Sequence, residues 1–274
     1  MSEPFSVLMS VYRKEEPEFL SEALKSILTQ TLIPDEIIIV EDGPLTEELE
    51  SVLNNYCENN SCIKLLKLKK NVGLGVALNK GLEQCRYEIV ARMDSDDISR
   101  EDRFEVEMKY FEEGHYDLIG CNILEFIDSH IHPVSSREVP EISDDIEKFS
   151  KRRNPFNHMT VMFNKKSAVE AGSYVKMDDF EDYYLWLRML NKKSKTYNVQ
   201  ENLVYARTNQ NFLERRSGMD YVKSEYKFQR RILSEDLITN KDFCINILLR
   251  CLVRLVPTKI LSSLYKNVAH KTVK

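Results

Sequence analysis

The chain has 274 residues, 42% of them hydrophobic and 30% charged, with a formal net charge of −5. These totals describe a globular protein large enough for a sizeable core, and they exclude a basic nucleic-acid binder. No apolar run approaches the ~18 residues that a membrane-spanning helix needs. The charge is uneven, with 18 Lys and Arg against 7 Asp and Glu in residues 188–274, and 21 against 37 in residues 1–187. Such asymmetry suggests that the C-terminal third meets something anionic, although a solvated basic helical surface explains the charge equally well. MSEPFSVLMSVY has no basic stretch of the kind that opens a secretion signal, so a cytoplasmic protein is expected. Six scattered cysteines without a CxxC fit reduced thiols. His130 and His132 form a lone HxH with no obvious third ligand.

In chain order, Phe5 to Ser10 reads as a buried strand. Phe19, Leu20, Ala23, Leu24, Ile27 and Leu28 then recur at helical spacing, and Pro34 ends the segment. Glu36 to Val40 is a second strand, followed by the loop EDGP. Leu49, Val52, Leu53 and Tyr56 mark a second helix, Ile63 to Leu68 a third strand, Leu74 to Cys85 a third helix, and Glu88 to Met93 a fourth strand. Arg103 to Glu113 reads as a helix, Leu118 to Ile127 as a strand, and His158 to Phe163 as a short strand. Glu181 to Asn191 is helical, and Tyr197 to Ala206 is strand-like. From Ser217 onward the pattern is helical again. Strands alternating with amphipathic helices imply an α/β fold with a mostly parallel central sheet. A soft boundary near residue 215 separates this body, residues 1–215, from a basic amphipathic helical region, residues 216–274.

Open sheets of this kind bind ligands beyond the carboxyl ends of their strands. The rule would bring Ser10 and Tyr12, Asp42, and the run Asp94-Ser95-Asp96-Asp97 to one rim. Crowded carboxylates repel one another unless a cation sits among them. Three readings fit. The acids could open a helix capped by Ser99, with Asp102 three residues on. They could be a phosphohydrolase nucleophile motif of the haloacid dehalogenase type, which normally follows a first strand rather than a fourth. They could also hold a divalent metal together with a nucleotide diphosphate.

Five segments in order decide among these: SVLMSVYRKE, SILTQTLIPDEIIIVEDG, NVGLGVALNKGL, ARMDSDDIS and FEDYYLWLRML. With them the chain resembles the inverting family-2 glycosyltransferases of the GT-A fold over roughly residues 5 to 210. The resemblance implies a Rossmann-like, mostly parallel sheet, with residues 1–100 binding a nucleotide sugar and residues 101–215 the acceptor. It places Ser10, Tyr12, Asp42, Asn71, Gly73, Asp94 and Ser95 around the nucleotide sugar. Asp96 becomes the ligand of Mn2+ or Mg2+. Asp182 becomes the general base, with Glu181 beside it. His158, Trp186 and Arg207 are further candidates for acceptor or diphosphate contacts, each with a plain structural alternative; Arg215 and Arg216 belong with Arg207. A one-turn-in tryptophan such as Trp186 is more often core than a sugar platform.

The resemblance further implies a UDP-sugar donor and a glycan acceptor on a lipid diphosphate, in surface polysaccharide synthesis such as O-antigen assembly. Leu78 stands where many relatives carry an arginine. The QxxRW motif of processive synthases is absent, so one sugar per acceptor is expected. In FCINILLRCLVRLVPTKILSSLYK, Ile245, Leu248, Leu249, Leu252, Val253 and Val256 form an apolar face among Arg250, Arg254, Lys259 and Lys266. Such a face suits a membrane surface, the catalytic body or a second copy of the chain. A non-catalytic sugar-nucleotide or membrane-surface binding module is the remaining alternative.

Overall fold

The computed structural model describes residues 2–177, 179–208, 219–251 and 271–272. The parallel heart of the sheet consists of β1 (Phe5–Val11), β2 (Glu36–Glu41), β3 (Ile63–Lys67) and β4 (Ile89–Arg92), in the spatial order β3-β2-β1-β4. They are connected by α1 (Pro17–Leu28), α2 (Glu47–Asn59) and α3 (Leu74–Gln84). Local chemistry sets these limits. Pro17 opens α1, where its missing N–H is no loss. Thr46 caps α2 by accepting from Leu49 N at 3.3 Å, and Glu47, Glu48 and Glu50 follow in the first turn.

Both faces of the parallel strands are covered. Along β1, Val7 and Met9 pack with Leu20, Leu24 and Ile27 of α1, while Leu8 packs on the other side with Ala77, Leu78 and Leu82 of α3. Successive strand residues point to opposite faces, which explains why these strands read as unbroken apolar runs. Leu78, in the place of a family arginine, is wholly buried in this second layer.

The second half adds β5 (Ile98–Ser99), α4 (Arg103–Gly114), β6 (Leu118–Phe126), β7 (Ser135–Arg137), α5 (Ser143–Ser150), β8 (Met162–Asn164), α6 (Lys165–Glu170), α7 (Glu181–Asn191) and β9 (Thr196–Arg207). β8 lies antiparallel between β4 and β6, and β9 runs parallel to β6. β5 pairs with β9, which ties the segment after β4 to the end of the sheet domain.

Two expectations are corrected here. His158 to Phe163 is not one strand: residues His158–Thr160 form a 3-10 turn before β8. Side chains replace the ladder there, since Asn157 donates to the Cys121 carbonyl at 2.8 Å and Cys121 N donates to Thr160 Oγ1 at 3.1 Å. Ser99 does not cap a helix. It lies in β5, and α4 starts four residues later at Arg103, with Asp102 in the cap position.

Beyond residue 218, α8 (Met219–Ser234) and α9 (Asn240–Asn246) lead into a π-helical turn, Ile247–Cys251. β10 (Lys271–Thr272) pairs with β7. α8 does not stand apart from the sheet domain. Phe228 stacks on Phe180 with ring centroids 4.5 Å apart and also packs on Tyr183, at the start of α7. Asn246 donates to the Lys151 carbonyl at 2.9 Å, and Arg152 pairs with Asp242 at 2.8 Å. The boundary expected near 215, with Arg215 and Arg216, lies outside the described residues, as do Leu252, Val253, Val256, Arg254, Lys259 and Lys266. No helix among the described residues is long and apolar enough to cross a membrane.

Candidate active site

The strand register brings the expected loops to one rim. Val11 is opposite Glu41, Leu8 is opposite Arg92, and Asp42 N donates to the Val11 carbonyl at 2.8 Å. Ser10 is nearly buried at the end of β1, whereas Tyr12, just beyond it, is exposed. Asp42 is buried, and its two oxygens accept from Val72 N at 2.7 Å and Gly73 N at 3.0 Å. Asn71 Nδ2 donates to the Asp42 carbonyl at 3.2 Å. Asp42 therefore holds the Asn71–Gly73 loop, and each carboxylate oxygen retains a second acceptor direction for a ligand. The turn requires Gly43, which has φ of +89°; a Cβ there would lie 2.5 Å from Asn71 N.

The acidic turn follows β4 without ladder bonds of its own. Arg92, wholly buried, pairs with Asp94, two residues on and on the same side of the chain. Burial opposes ionisation of Asp94, yet the Arg92 guanidinium keeps its carboxyl below the usual aspartate range. Asp96 lacks such a partner. Burial, then the Asp94 and Glu15 carboxylates, push it up to about 7. Glu15 reaches the turn from the loop after β1, where it accepts from Ser95 Oγ at 2.5 Å. Asp97 is buried and raised well above the usual range by desolvation and by Asp96 and Asp94; it accepts from Arg207 N at 2.7 Å.

The second acidic pair opens α7, where the helix dipole favours negative charge. Asn154 Nδ2 donates to Asp182 Oδ2 at 2.6 Å, and Tyr183 N donates to Oδ1 at 2.6 Å. Glu181 is pushed up to about 8 by burial and by Asp182 beside it. α3 abuts this pair closely: a Cβ on Gly75 would stand 2.4 Å from the Val175 carbonyl oxygen and 2.8 Å from Glu181 Cβ. His158 shares a hydrogen bond of 3.1 Å with the Tyr174 hydroxyl, and burial and Arg92 push its imidazole down to about 4. Arg92 acts on Asp94, Asp96, Asp97, His158 and Glu181, so its charge spans both acidic groups.

The sequence model of glycosyl transferase family 2 matches residues 6–183. The chain belongs to this family. It is 41% identical to the UDP-Gal:alpha-D-GlcNAc-diphosphoundecaprenol beta-1,3-galactosyltransferase of Escherichia coli, over 97% of each chain. It is 39% identical to the amylovoran biosynthesis glycosyltransferase AmsE of Erwinia amylovora, over 96% of this chain and 98% of that one. The mannosyltransferase PcManGT from Pyrobaculum calidifontis, solved with GDP-Man and Mn2+, matches with a TM-score of 0.65 at 13% identity, covering 90% of this chain and 68% of its own. The fold is the GT-A fold, and family membership sets the phosphohydrolase reading aside.

Within this glycosyltransferase, Trp186 and Arg207, both expected near a ligand, are held by protein partners. Trp186 is fully buried among Phe156, Phe163, His158 and Tyr174, so its ring is core and no sugar can stack on it. Arg207 lies along the acidic turn. Its Nε donates to the Asp96 carbonyl at 3.0 Å, and its guanidinium lies over the Phe19 ring. His130 packs on Tyr205 and Phe126, and no group of three His, Cys, Asp or Glu able to hold a metal by itself occurs among the described residues.

Three site residues escaped the sequence reading. Arg92 had a signal, a basic residue in an apolar strand two positions before Asp94. Asn154 had one in its Asn-Pro step, which favours a turn; its Oδ1 accepts from Phe156 N at 3.3 Å. Glu15 had none, because only the fold brings it to Ser95.

The donor set suits one kind of cation. Asp96 is a hard oxygen donor whose neighbours Asp94 and Glu15 make an uncompensated carboxylate unfavourable. Mg2+ and, with the same hard preference, Mn2+ bind through one or two carboxylates and take further oxygens from substrate phosphates. The residues fit a divalent cation that arrives with a nucleoside diphosphate.

Proposed function

We propose that this glycosyltransferase moves one sugar from a UDP-sugar to a saccharide on a lipid diphosphate, with inversion at the anomeric carbon, in bacterial surface polysaccharide assembly. The observation that carries the reading is the meeting of two acidic groups at one rim. The turn with Asp94 and Asp96 follows β4, Asp94 and Asp182 both act on His158 and Tyr174, and Glu181 stands against the start of α3. The 41% identical relative acts with UDP-Gal on a diphosphoundecaprenol-linked acceptor, which supports the donor and acceptor class.

Ser10, Tyr12, Asp42, Asn71 and Gly73 hold the base and ribose in this reading. Asp94, kept ionised by Arg92, faces the ribose with Ser95, and Asp96 holds the Mn2+ or Mg2+. When bound, the cation offsets the negative charge gathering on the departing UDP. Asp182 takes the proton from the acceptor hydroxyl as that oxygen attacks, a general-base step worth about 10²–10⁴-fold. Asn154 orients it, and Glu181, which holds its own proton at neutral pH, supports the loop and the acceptor. His158, neutral at pH 7, borders the acceptor side. Exposed Leu248 and Leu249 beside Arg250 suit peripheral contact with the membrane that carries the acceptor.

The test is a thermal shift. UDP with Mn2+ stabilises the wild type more than UDP in chelator, because a ligand selective for the native state must do so. Asp96→Ala loses that metal-dependent increment. Equal shifts in Asp96→Ala and wild type would remove Asp96 as the metal ligand. A panel of UDP-sugars, headed by UDP-galactose, then identifies the donor.

A further inference from the structure

We propose that Arg207 is a positioning residue for the metal turn, holding Asp96 by its backbone. The proposal rests on the reading of Asp96 as the metal ligand. Met93 N still donates to the Leu8 carbonyl at 3.2 Å, but Asp94 to Asp97 pair with no strand, so the shape of that turn depends on contacts from elsewhere. Arg207, the last residue of β9, supplies two of them. Its Nε donates to the Asp96 carbonyl at 3.0 Å, and its backbone N–H donates to buried Asp97 Oδ1 at 2.7 Å. The guanidinium is itself fixed from three sides. Glu22 of α1 pairs with it at 2.5 Å, the Phe19 ring lies 3.8 Å away and the Phe126 ring 4.5 Å away. The Arg207 side chain is only 11% exposed. A planar guanidinium can meet a carbonyl, a carboxylate and an aromatic face together, which a lysine ammonium cannot.

The sign of the effect separates bracing from simple charge. A cation beside a metal site opposes metal binding, so on charge alone the loss of Arg207 would tighten it. Glu22 largely offsets that charge, and what remains is the placement of the Asp96 backbone. Groups that orient a metal ligand typically change metal affinity about 10–100-fold when removed.

The experiment measures Mn2+ uptake by electron paramagnetic resonance at saturating UDP, and UDP affinity in chelator by calorimetry. Arg207→Ala lowers Mn2+ affinity about 10–100-fold. UDP affinity in chelator falls by a smaller factor than Mn2+ affinity, because Asp94 and Ser95 share the braced turn but the Asp42–Gly73 loop shares no partner with Arg207. Arg207→Lys, which keeps the charge without the fork, falls between. Glu22→Gln weakens Mn2+ binding less than Arg207→Ala. Unchanged or tighter Mn2+ binding in Arg207→Ala overturns the proposal, and so does a parallel loss of metal-free UDP affinity. Should Arg207→Ala not fold, Arg207→Lys is judged by the same two measurements. A wild type that takes up no Mn2+ with UDP overturns the metal reading and the brace together. A wild type that does, beside an Arg207→Ala that matches it, overturns the brace alone.

Discussion

Gly75→Ala tests whether the two acidic groups depend on the packing of α3 against the start of α7. The added Cβ would stand 2.4 Å from the Val175 carbonyl oxygen and 2.8 Å from Glu181 Cβ. Ordinary contact needs about 3.5 Å, so these segments must part by roughly 1 Å. The first obstacle is a backbone atom, and no change of rotamer relieves it. Overpacking of this kind costs about 1–3 kcal/mol, offset by the ~0.5–1 kcal/mol that alanine gains over glycine in a helix. A net loss of about 1–2 kcal/mol lowers Tm by a few degrees in a chain of this size. Activity falls much further, because a displacement of ~1 Å in a reacting pair can remove about 10²-fold of rate. The assay is kcat for sugar transfer beside a melting curve. A Gly75→Ala enzyme with Tm lowered and kcat within about twofold of wild type would show that this contact does not set the geometry of the pair.

Two pH effects follow from the site. His158 has a folded value of about 4, below the ordinary 6.5. The unfolded chain then binds a proton that the folded one refuses, so stability is full above pH 6.5 and falls toward pH 4 by about 1–3 kcal/mol; melts from pH 7 to 5 should be less pH-dependent in His158→Gln, and equal slopes would contradict this. In the proposed role as metal ligand, Asp96, at about 7, would have to lose its proton, so Mn2+ affinity at saturating UDP should weaken about tenfold per pH unit well below 7, and a flat profile would count against it.

The sheet was legible because its strands carry continuous apolar runs and its helices carry 3.6-residue periodicity. The start and end of the α7 helix were readable to the residue, since Glu181 opens it and Lys192 lies beyond its apolar stripe. His158–Thr160 misled because a 3-10 turn held by Asn157 and Thr160 side chains has no periodic signature. Ser99 misled because its spacing to Asp102 imitates a cap, whereas pairing with Val204 places it in a strand. The acids themselves were visible as motifs. The groups that govern them were less so: Glu15, Arg103 and Arg207 reach the turn from other elements, and Arg103 does so by donating to the Arg92 carbonyl at 2.8 Å. Linear spacing reports which residues share an element. It does not report which distant side chain settles beneath a turn.

In the proposed reaction, Asp182 removes the acceptor proton in a single displacement. The most direct test incubates the enzyme with UDP-α-galactose and a GlcNAc-diphospholipid and assigns the new anomeric centre by NMR. A β linkage is expected, with Asp182→Asn still binding UDP and Mn2+ but losing transfer by about 10²–10⁴-fold. An α-linked product, or transfer by Asp182→Asn at the wild-type rate, would contradict it.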